Sequence, residues 1–503
     1  MCYNIFISFK GAKNRMGEIA KAQWRIFHLI TYKIVTGIFR PGEKILSQAE
    51  ICDTYKVSDQ TARIVLQMLE GTGMVQRCRG RAARVIHDPD CWTYNAQLTY
   101  VPMNLEHTRD ILYTSCLIVP PFVTLAVEKY SREQVLQLDR ILEELNELLD
   151  APIRFWRTKQ RFWQTLEAQA GNHFYMQVRY ALGLFDFRLP TNEIREKQVL
   201  LLRLMYKAIH NGDCSTFQEL IGPNEYAEWY QTFESQHFEE INVPKQSPLV
   251  QGPCAVRQRL QDTEKRYQTI YLDIISWLAL RGSTPGELLP PHEELAAIFG
   301  VSHNSTVPAL RILQDLGVAK SIRGKGTFLQ MSTAEIRLLR ISTDEAILRV
   351  RRLLEQFQFL SLTTGAVAGH AMASVSGEEF EHLRDRMEQD TFLGPQVIHL
   401  ALELQKFFTQ HIQPSSLRTI FEVLEEEIPK RIGMPGLLNY DEALLKDLEE
   451  DCWSVLKYLE VRDYASATAR FQAFYEVCYN RLMCNIKQTF YWEATQQLPD
   501  YFY

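Results

Sequence analysis

Val57-Ser58-Asp59-Gln60-Thr61-Ala62-Arg63-Ile64-Val65-Leu66-Gln67-Met68-Leu69-Glu70-Gly71-Thr72-Gly73 is the stretch that decides the fold. Ser58 can cap a helix through its hydroxyl. Val65, Leu66 and Leu69 then recur at the spacing of one buried helical face. Gly73 stops the helix, because a residue without a Cβ takes the left-handed conformation cheaply. Upstream, Trp24 to Val35 predicts an amphipathic helix stopping at Gly37, Pro41-Gly42 a turn, and Gln48 to Tyr55 a short second helix. Downstream, Met74 to Arg77 and Ala83 to Ile86 flank Arg79-Gly80-Arg81, as two short strands around a basic hairpin tip.

The pattern then repeats. Pro41-Gly42-Glu43 returns as Pro285-Gly286-Glu287, Val57-Ser58 as Val301-Ser302, and Arg79-Gly80 as Arg323-Gly324, at a constant offset of 244 residues. Leu66, Leu69 and Gly73 return as Leu310, Leu313 and Gly317. Solenoid repeats have periods of roughly 20 to 50 residues, so this is a duplicated domain. Three helices followed by a two-stranded wing make a winged helix-turn-helix.

Such a unit suits double-stranded DNA. A helix fits the major groove, and residues of its N-terminal turns meet base edges. A basic hairpin tip reaches phosphate or the minor groove, and glycine lets the backbone come close. In the first copy the candidates are Ser58, Gln60, Thr61 and Arg63, with Arg79, Gly80 and Arg81 at the wing. In the second they are Asn304 and Ser305, with Arg323, Gly324 and Lys325 at the wing. Pro308 interrupts the second copy's third helix at a cost of about 3 kcal/mol. Unless that helix starts late, near Ser305, its first turns are expected to be distorted.

The formal charge of −6 hides an asymmetry. Lys21 to Asp88 holds eleven basic against six acidic residues, whereas Glu264 to Ser332 holds seven against six. A cationic module on an acidic body is a nucleic-acid signature. The ten cysteines include no C-x-x-C pair, as expected of reduced thiols in a cytoplasmic protein. The N-terminus has no basic segment ahead of its short apolar run, which points away from a signal peptide. Ile111 to Val127 carries no charge but contains Pro120-Pro121 and reads as a buried helix broken at the prolines, with no membrane span. Walker, G-x-S-x-G, H-E-x-x-H and Gly-rich nucleotide motifs are missing from the sequence, so no enzyme, metal or cofactor is expected. The run Glu425-Glu426-Glu427 reads as the solvated face of a helix.

At 503 residues the chain suggests three or four domains. The expected class is mainly α: winged helix-turn-helix domains at 20–88 and 263–331, each with a small β-wing, alternate with all-helical domains at 102–240 and 335–494. Residues 241–262, with Pro244, Pro248 and Pro253, read as a linker.

The ordered set of G-x-x-x-P-G, V-S, third helix, G-[MV]-V-x-x-R and R-G-R resembles the GntR-type bacterial transcription regulators, over both repeat units. The resemblance implies arginines at the position after V-S and four positions further on. This chain has Asp59 and Arg63 in one copy, and His303 and Val307 in the other. Val350-Arg351-Arg352-Leu353-Leu354-Glu355 is similar to the opening of the all-helical FCD domain in one branch of that family. Gly171-Asn172, Gly212-Asp213, Asp463 and Ala467 also fall where that branch has similar residues. The resemblance would imply a metal held by an aspartate and three histidines. Those positions hold Lys159, Phe162-Trp163 and Leu202 in the first half, and Phe408, Cys452 and Phe474 in the second. The aromatic substitutions imply cavities that are filled, or that admit an apolar or aromatic effector.

The reading is thus a transcription regulator, with repressor as a working description although the sign of regulation is not fixed. It acts as a single-chain pseudo-dimer on an asymmetric or near-palindromic operator, with helical domains for ligand sensing or assembly. Further pairing of chains as a homodimer stays open. The alternative is a ligand-sensing or protein-interaction protein whose second winged helix no longer binds DNA.

Overall fold

The computed structural model describes residues 39–86, 105–182, 192–221 and 266–495 with short gaps, and scattered positions within 23–34 and 256–260. Contacts divide it into two compact units: residues 1–171 with 176–261 and 499–503, and residues 172–175 with 262–498.

In the first unit, Ile26, Ile30 and Ile34 recur every four residues on helical positions and are fully buried. They pack with α1 (Gln48–Thr54) and α2 (Asp59–Gly71) through Ile51, Ala62, Val65, Leu66 and Leu69. A capping box starts α1: the Ser47 hydroxyl accepts from the Glu50 amide, and the Ser47 amide donates to the Glu50 carboxylate at 2.6 Å. The wing is β1 (Val75–Cys78) antiparallel to β2 (Arg81–Val85), with an irregularity between Gln76 and Cys78. Among the described residues of the helical segment come α3 (Leu105–Glu128), α4 (Arg132–Glu147), α5 (Pro152–Ala168), α6 (His173–Leu182) and α7 (Asn192–Asn211). The short α8 (Cys214–Leu220) comes after them.

The expected break at Pro120-Pro121 does not occur: α3 runs through both prolines. Each proline removes one backbone donor, and the carbonyls left short belong to the half-buried Cys116 and Leu117. Ile118, Val119, Phe122, Val123 and Ala126 around them are fully buried. At roughly 1.5–3 kcal/mol for each large apolar side chain, packing outweighs the proline penalty. This helix is the single described one whose length and hydropathy would allow it to cross a membrane, and 56% of its apolar window is buried.

The second unit opens with α9 (Arg266–Leu280), α10 (His292–Phe299) and α11 (His303–Asp315), then β3 (Ala319–Ile322) antiparallel to β4 (Gly326–Leu329). The duplication extends to individual hydrogen bonds. Gly42 N donates to Val85 O and Gly286 N to Leu329 O, each at 2.8 Å. Ile45 N to Ala83 O is matched by Leu289 N to Thr327 O, again at 2.8 Å each. The turn glycines Gly42 and Gly286 have φ of 84° and 88°, where a Cβ would be strained.

After the short α12 (Thr333–Arg337), the described residues of the second bundle form α13 (Asp344–Met372), α14 (Glu378–Glu388), α15 (Gln396–Gln410), α16 (Ser415–Ile432), α17 (Glu442–Glu460) and α18 (Tyr464–Gln488). The long α13 packs along α18, which also packs on α17. Asp213 and Asp463 each cap a helix, accepting from Thr216 N at 3.0 Å and Ser466 N at 3.1 Å. The residue before each cap is left-handed, Gly212 at φ 67° and Arg462 at φ 60°, so the same turn recurs in the two halves with glycine in one alone.

The second winged helix is seated on its bundle by a close approach of backbones. A Cβ placed on Gly433, the residue closing α16, would lie 2.2 Å from the Ser276 carbonyl oxygen on α9. Asp273 on α9 also forms an ion pair with the buried Arg349 of α13, and Arg349 donates to the Lys430 carbonyl at 2.9 Å. Gly433 has φ −80°, which any residue adopts, so its role here is steric. Gly433→Ala is expected to lower the stability of the second unit by about 1–3 kcal/mol in urea unfolding. An unchanged midpoint would contradict this packing.

Candidate nucleic-acid interface

In each winged helix-turn-helix unit, called a reader from here on for the role expected of it, the third helix turns one stripe inward. Ala62, Val65, Leu66 and Leu69 are buried on α2, and Thr306, Ala309, Leu310 and Leu313 on α11. These are the same four stations at the repeat offset. The opposite face is exposed, with Gln60, Arg63 and Gln67 on α2 and Asn304, Val307 and Arg311 on α11. Gln67 and Arg311 are absent from the sequence-based candidates, although their spacing from Arg63 and Val307 places them one turn further along the same stripe.

Ser58 is exposed and caps α2, accepting from the Thr61 amide at 3.2 Å. Thr61 does not join the exposed face. It is 6% exposed, and its hydroxyl lies 3.0 Å from that of Ser58. A threonine three residues after a serine cap closes a local hydroxyl pair, which turns it toward the helix start. Asp59, at the station where the resemblance implies arginine, accepts from Gln48 Nε2 at 2.7 Å. An anion there suits the positive end of the helix dipole, but it would oppose a nearby phosphate. Two further cations have internal partners: Arg77 pairs with Glu70 at 2.7 Å, and Arg84 donates to the Gly42 carbonyl at 2.6 Å. The wing-tip residues Arg79 and Gly80 lie outside the described residues, as does the side chain of Arg81, whose backbone belongs to β2.

In the second winged helix the late start near Ser305 that would have spared the first turns does not occur, since α11 begins at His303 and carries Pro308 inside it. The carbonyl deprived of a donor is that of Asn304, in an exposed residue where water can replace the bond. Ser302 precedes the helix without capping it through its side chain, and its hydroxyl meets that of Ser305 at 2.8 Å. Ser305 is therefore half-buried and engaged, whereas Asn304 is exposed. His292 Nδ1 lies 2.9 Å from the buried Thr306 hydroxyl, tying α10 to α11. The wing tip Arg323-Gly324-Lys325 is exposed. Its turn is closed by Lys325 N donating to Ile322 O at 3.0 Å, with Gly324 at φ 76°.

The helical segments hold the other candidate site. Among the described residues no group of three His, Cys, Asp or Glu side chains is placed to hold a metal. Phe162 and Trp163 meet edge to face at 5.8 Å, with Lys159 and Leu202 also buried. In the second bundle Phe408 stacks on Phe471 at 5.2 Å, beside Phe474, Tyr475 and the buried Cys452. Tyr475 donates to Gln405 Oε1 at 2.6 Å within that aromatic layer.

The acidic run on α16 is not a solvated face as a whole. Only Glu426 is exposed. Phe421, Leu424 and Ile428 form the buried stripe, and Glu425 and Glu427 sit at its two edges. Glu427 is held by Arg431 at 2.8 Å and by Arg352 at 3.5 Å. Burial pushes the Glu425 carboxyl up to about 7, against the opposing contact with Thr409. The Thr409 hydroxyl is shared as a donor between the Gln405 carbonyl, at 2.8 Å, and the Glu425 carboxylate.

The sequence pattern of the family described as "Bacterial regulatory proteins, gntR family" matches residues 23–85 and again 266–329. The curated proteins yield no match. Among solved structures, Streptococcus agalactiae GntR is 14% identical with a TM-score of 0.23, covering 43% of this chain and 100% of that one. E. coli McbR/YncC is 14% identical with a TM-score of 0.24, covering 43% and 99%. At such TM-scores the structural likeness carries no weight beside the two sequence matches.

Because the folded chain binds the Glu425 proton more tightly than the unfolded chain, the stabilisation is complete below 4.5, the ordinary value, and is lost as pH rises through about 7. Glu425→Gln should flatten the fall in thermal midpoint between about pH 5 and pH 8, with a gain of several degrees at the upper end. Parallel profiles for the two proteins would show that Glu425 does not titrate in this window.

Proposed function

We propose that this chain, an internally duplicated regulator of the gntR type, sets both of its readers on one DNA duplex as a single-chain pseudo-dimer. DNA-binding transcriptional regulation follows from the two family domains. The supporting observation for the finer reading is that each third helix leaves its outward stripe to solvent, with Gln60 and Arg63 on one and Asn304 and Arg311 on the other. Gln60 and Arg63 contact base edges, with Ser58 at the helix start. Arg79, Gly80 and Arg81 approach phosphate or the minor groove, as do Arg323, Gly324 and Lys325 in the second reader. Asn304 and Ser305 mark the start of the second reading helix, and the buried Thr61 makes no contact with DNA.

Each half pairs a reader (20–88 and 263–331) with a helical domain (102–240 and 335–494), joined across 241–262. Tethering makes the second reader's engagement intramolecular, at an effective concentration set by the linker. The helical domains serve assembly or the sensing of a small apolar or aromatic effector, and the role is non-enzymatic and cytoplasmic. The competing reading, in which the second winged helix has left DNA, is opposed by its exposed Arg311, Arg323 and Lys325.

Arg63→Ala should weaken binding to a selected duplex by roughly 5- to 150-fold and relax its base preference, as expected of a bidentate contact. Arg323→Ala should reduce the slope of log affinity against log salt by about 1. Both variants matching the parent in affinity and slope would remove these surfaces from the DNA interface.

A further inference from the structure

Resting on the DNA-reading role, we infer that the two readers demand opposite base chemistries, with Val307 selecting thymine methyl groups where Arg63 selects guanine. The two stations are equivalent by geometry. Each is the fifth residue of its helix, α2 starting at Asp59 and α11 at His303. The same four inward stations hold both helices, and flanking backbone bonds recur: Val57 N to Cys52 O is matched by Val301 N to Ala296 O, and Met74 N to Leu69 O by Val318 N to Leu313 O. An exposed side chain at one therefore projects as its counterpart does at the other.

Val307 is 44% exposed although it is apolar and β-branched. Solvent gives it no partner, and packing in its own unit has not enclosed it. Its neighbours on the outward stripe are polar: Asn304 one turn before and Arg311 one turn after. In the major groove each base pair shows a distinct edge, and the C5 methyl of thymine is the one apolar feature there. Two valine methyls against it exclude water without leaving a polar group unpaired. Against guanine, the same contact would cover the O6 and N7 acceptors and offer no donor, which is unfavourable. Asn304 adds a side-chain amide able to pair with adenine N6 and N7. The second half-site is thus A·T at the stations these residues face, and Arg311 remains for the next base or phosphate.

The first reader makes the opposite demand. Arg63 offers a planar fork that matches guanine O6 and N7, and an uncharged apolar surface is missing from its described outward stripe of Gln60, Arg63 and Gln67. An operator for this chain is therefore unequal in composition: one half-site carries guanine and the other thymine. Val307 is the specificity-determining residue of the second.

The test uses the full chain and a duplex selected from a random library. Deoxyuridine, which lacks the C5 methyl, replaces thymine in one half-site at a time, and affinity is read by fluorescence anisotropy. Binding should weaken by roughly fourfold for each contacted methyl, in one half-site alone. In Val307→Ala most of that sensitivity should vanish. In Val307→Arg, guanine should be preferred at the same station. The inference is overturned if deoxyuridine has no effect in either half-site, acts equally in both, or acts unchanged in Val307→Ala. Selective, salt-sensitive binding in those cases would leave the DNA-reading role intact. A chain that retains no duplex even at low salt loses both, and the exposed valine would then belong to another kind of surface.

Discussion

A helix in a three-helix unit can bury only one stripe, and that stripe decides which side chains are left to recognise anything else. In both readers it is made of the same four stations, Ala62, Val65, Leu66 and Leu69 or Thr306, Ala309, Leu310 and Leu313. Each large apolar member contributes roughly 1.5–3 kcal/mol, far more than any exposed contact, so the register of the helix is fixed from the inside. The outward residues are then free to differ between copies without disturbing the fold. Arg63 and Val307 differ in charge, size and hydrogen bonding while standing on equivalent backbone.

The stripe depends in turn on how the helix starts and what holds it in place. In the first reader, the Ser58 hydroxyl takes the Thr61 amide, and Gln48 of the preceding helix holds Asp59. In the second, Ser302 gives no side-chain cap, and the His292 contact with Thr306 joins the helices instead. That second reader is also tied to its own bundle, by the Gly433 approach to Ser276 and the Asp273–Arg349 pair. A movement in the bundle therefore has a short route to the helices of this reader, within one compact unit.

Much of this is legible in the sequence because its signals are periodic. The constant offset, the apolar spacing and the punctuating glycines specify the duplicated winged helix-turn-helix whatever the surroundings. The errors arose where a local preference met a specific partner. Thr61 looked exposed by periodicity at the start of α2, but a hydroxyl neighbour at Ser58 turns it inward. Pro120-Pro121 looked like a break, and the surrounding buried side chains keep α3 continuous. Glu425 and Glu427 looked solvated as members of an acidic run, but their places at the edges of a buried stripe give them inward partners. Pro308 lies inside α11, and the bond it removes falls at the carbonyl of the exposed residue Asn304. No propensity reports such pairings, because each depends on a residue from another turn or another helix.

On the proposed function, one polypeptide supplies both readers of one site. Native mass spectrometry of the full chain with its selected duplex measures this most directly. A single species of one chain on one duplex is expected over a wide range of protein concentration. A complex that forms only with two chains per duplex would contradict it.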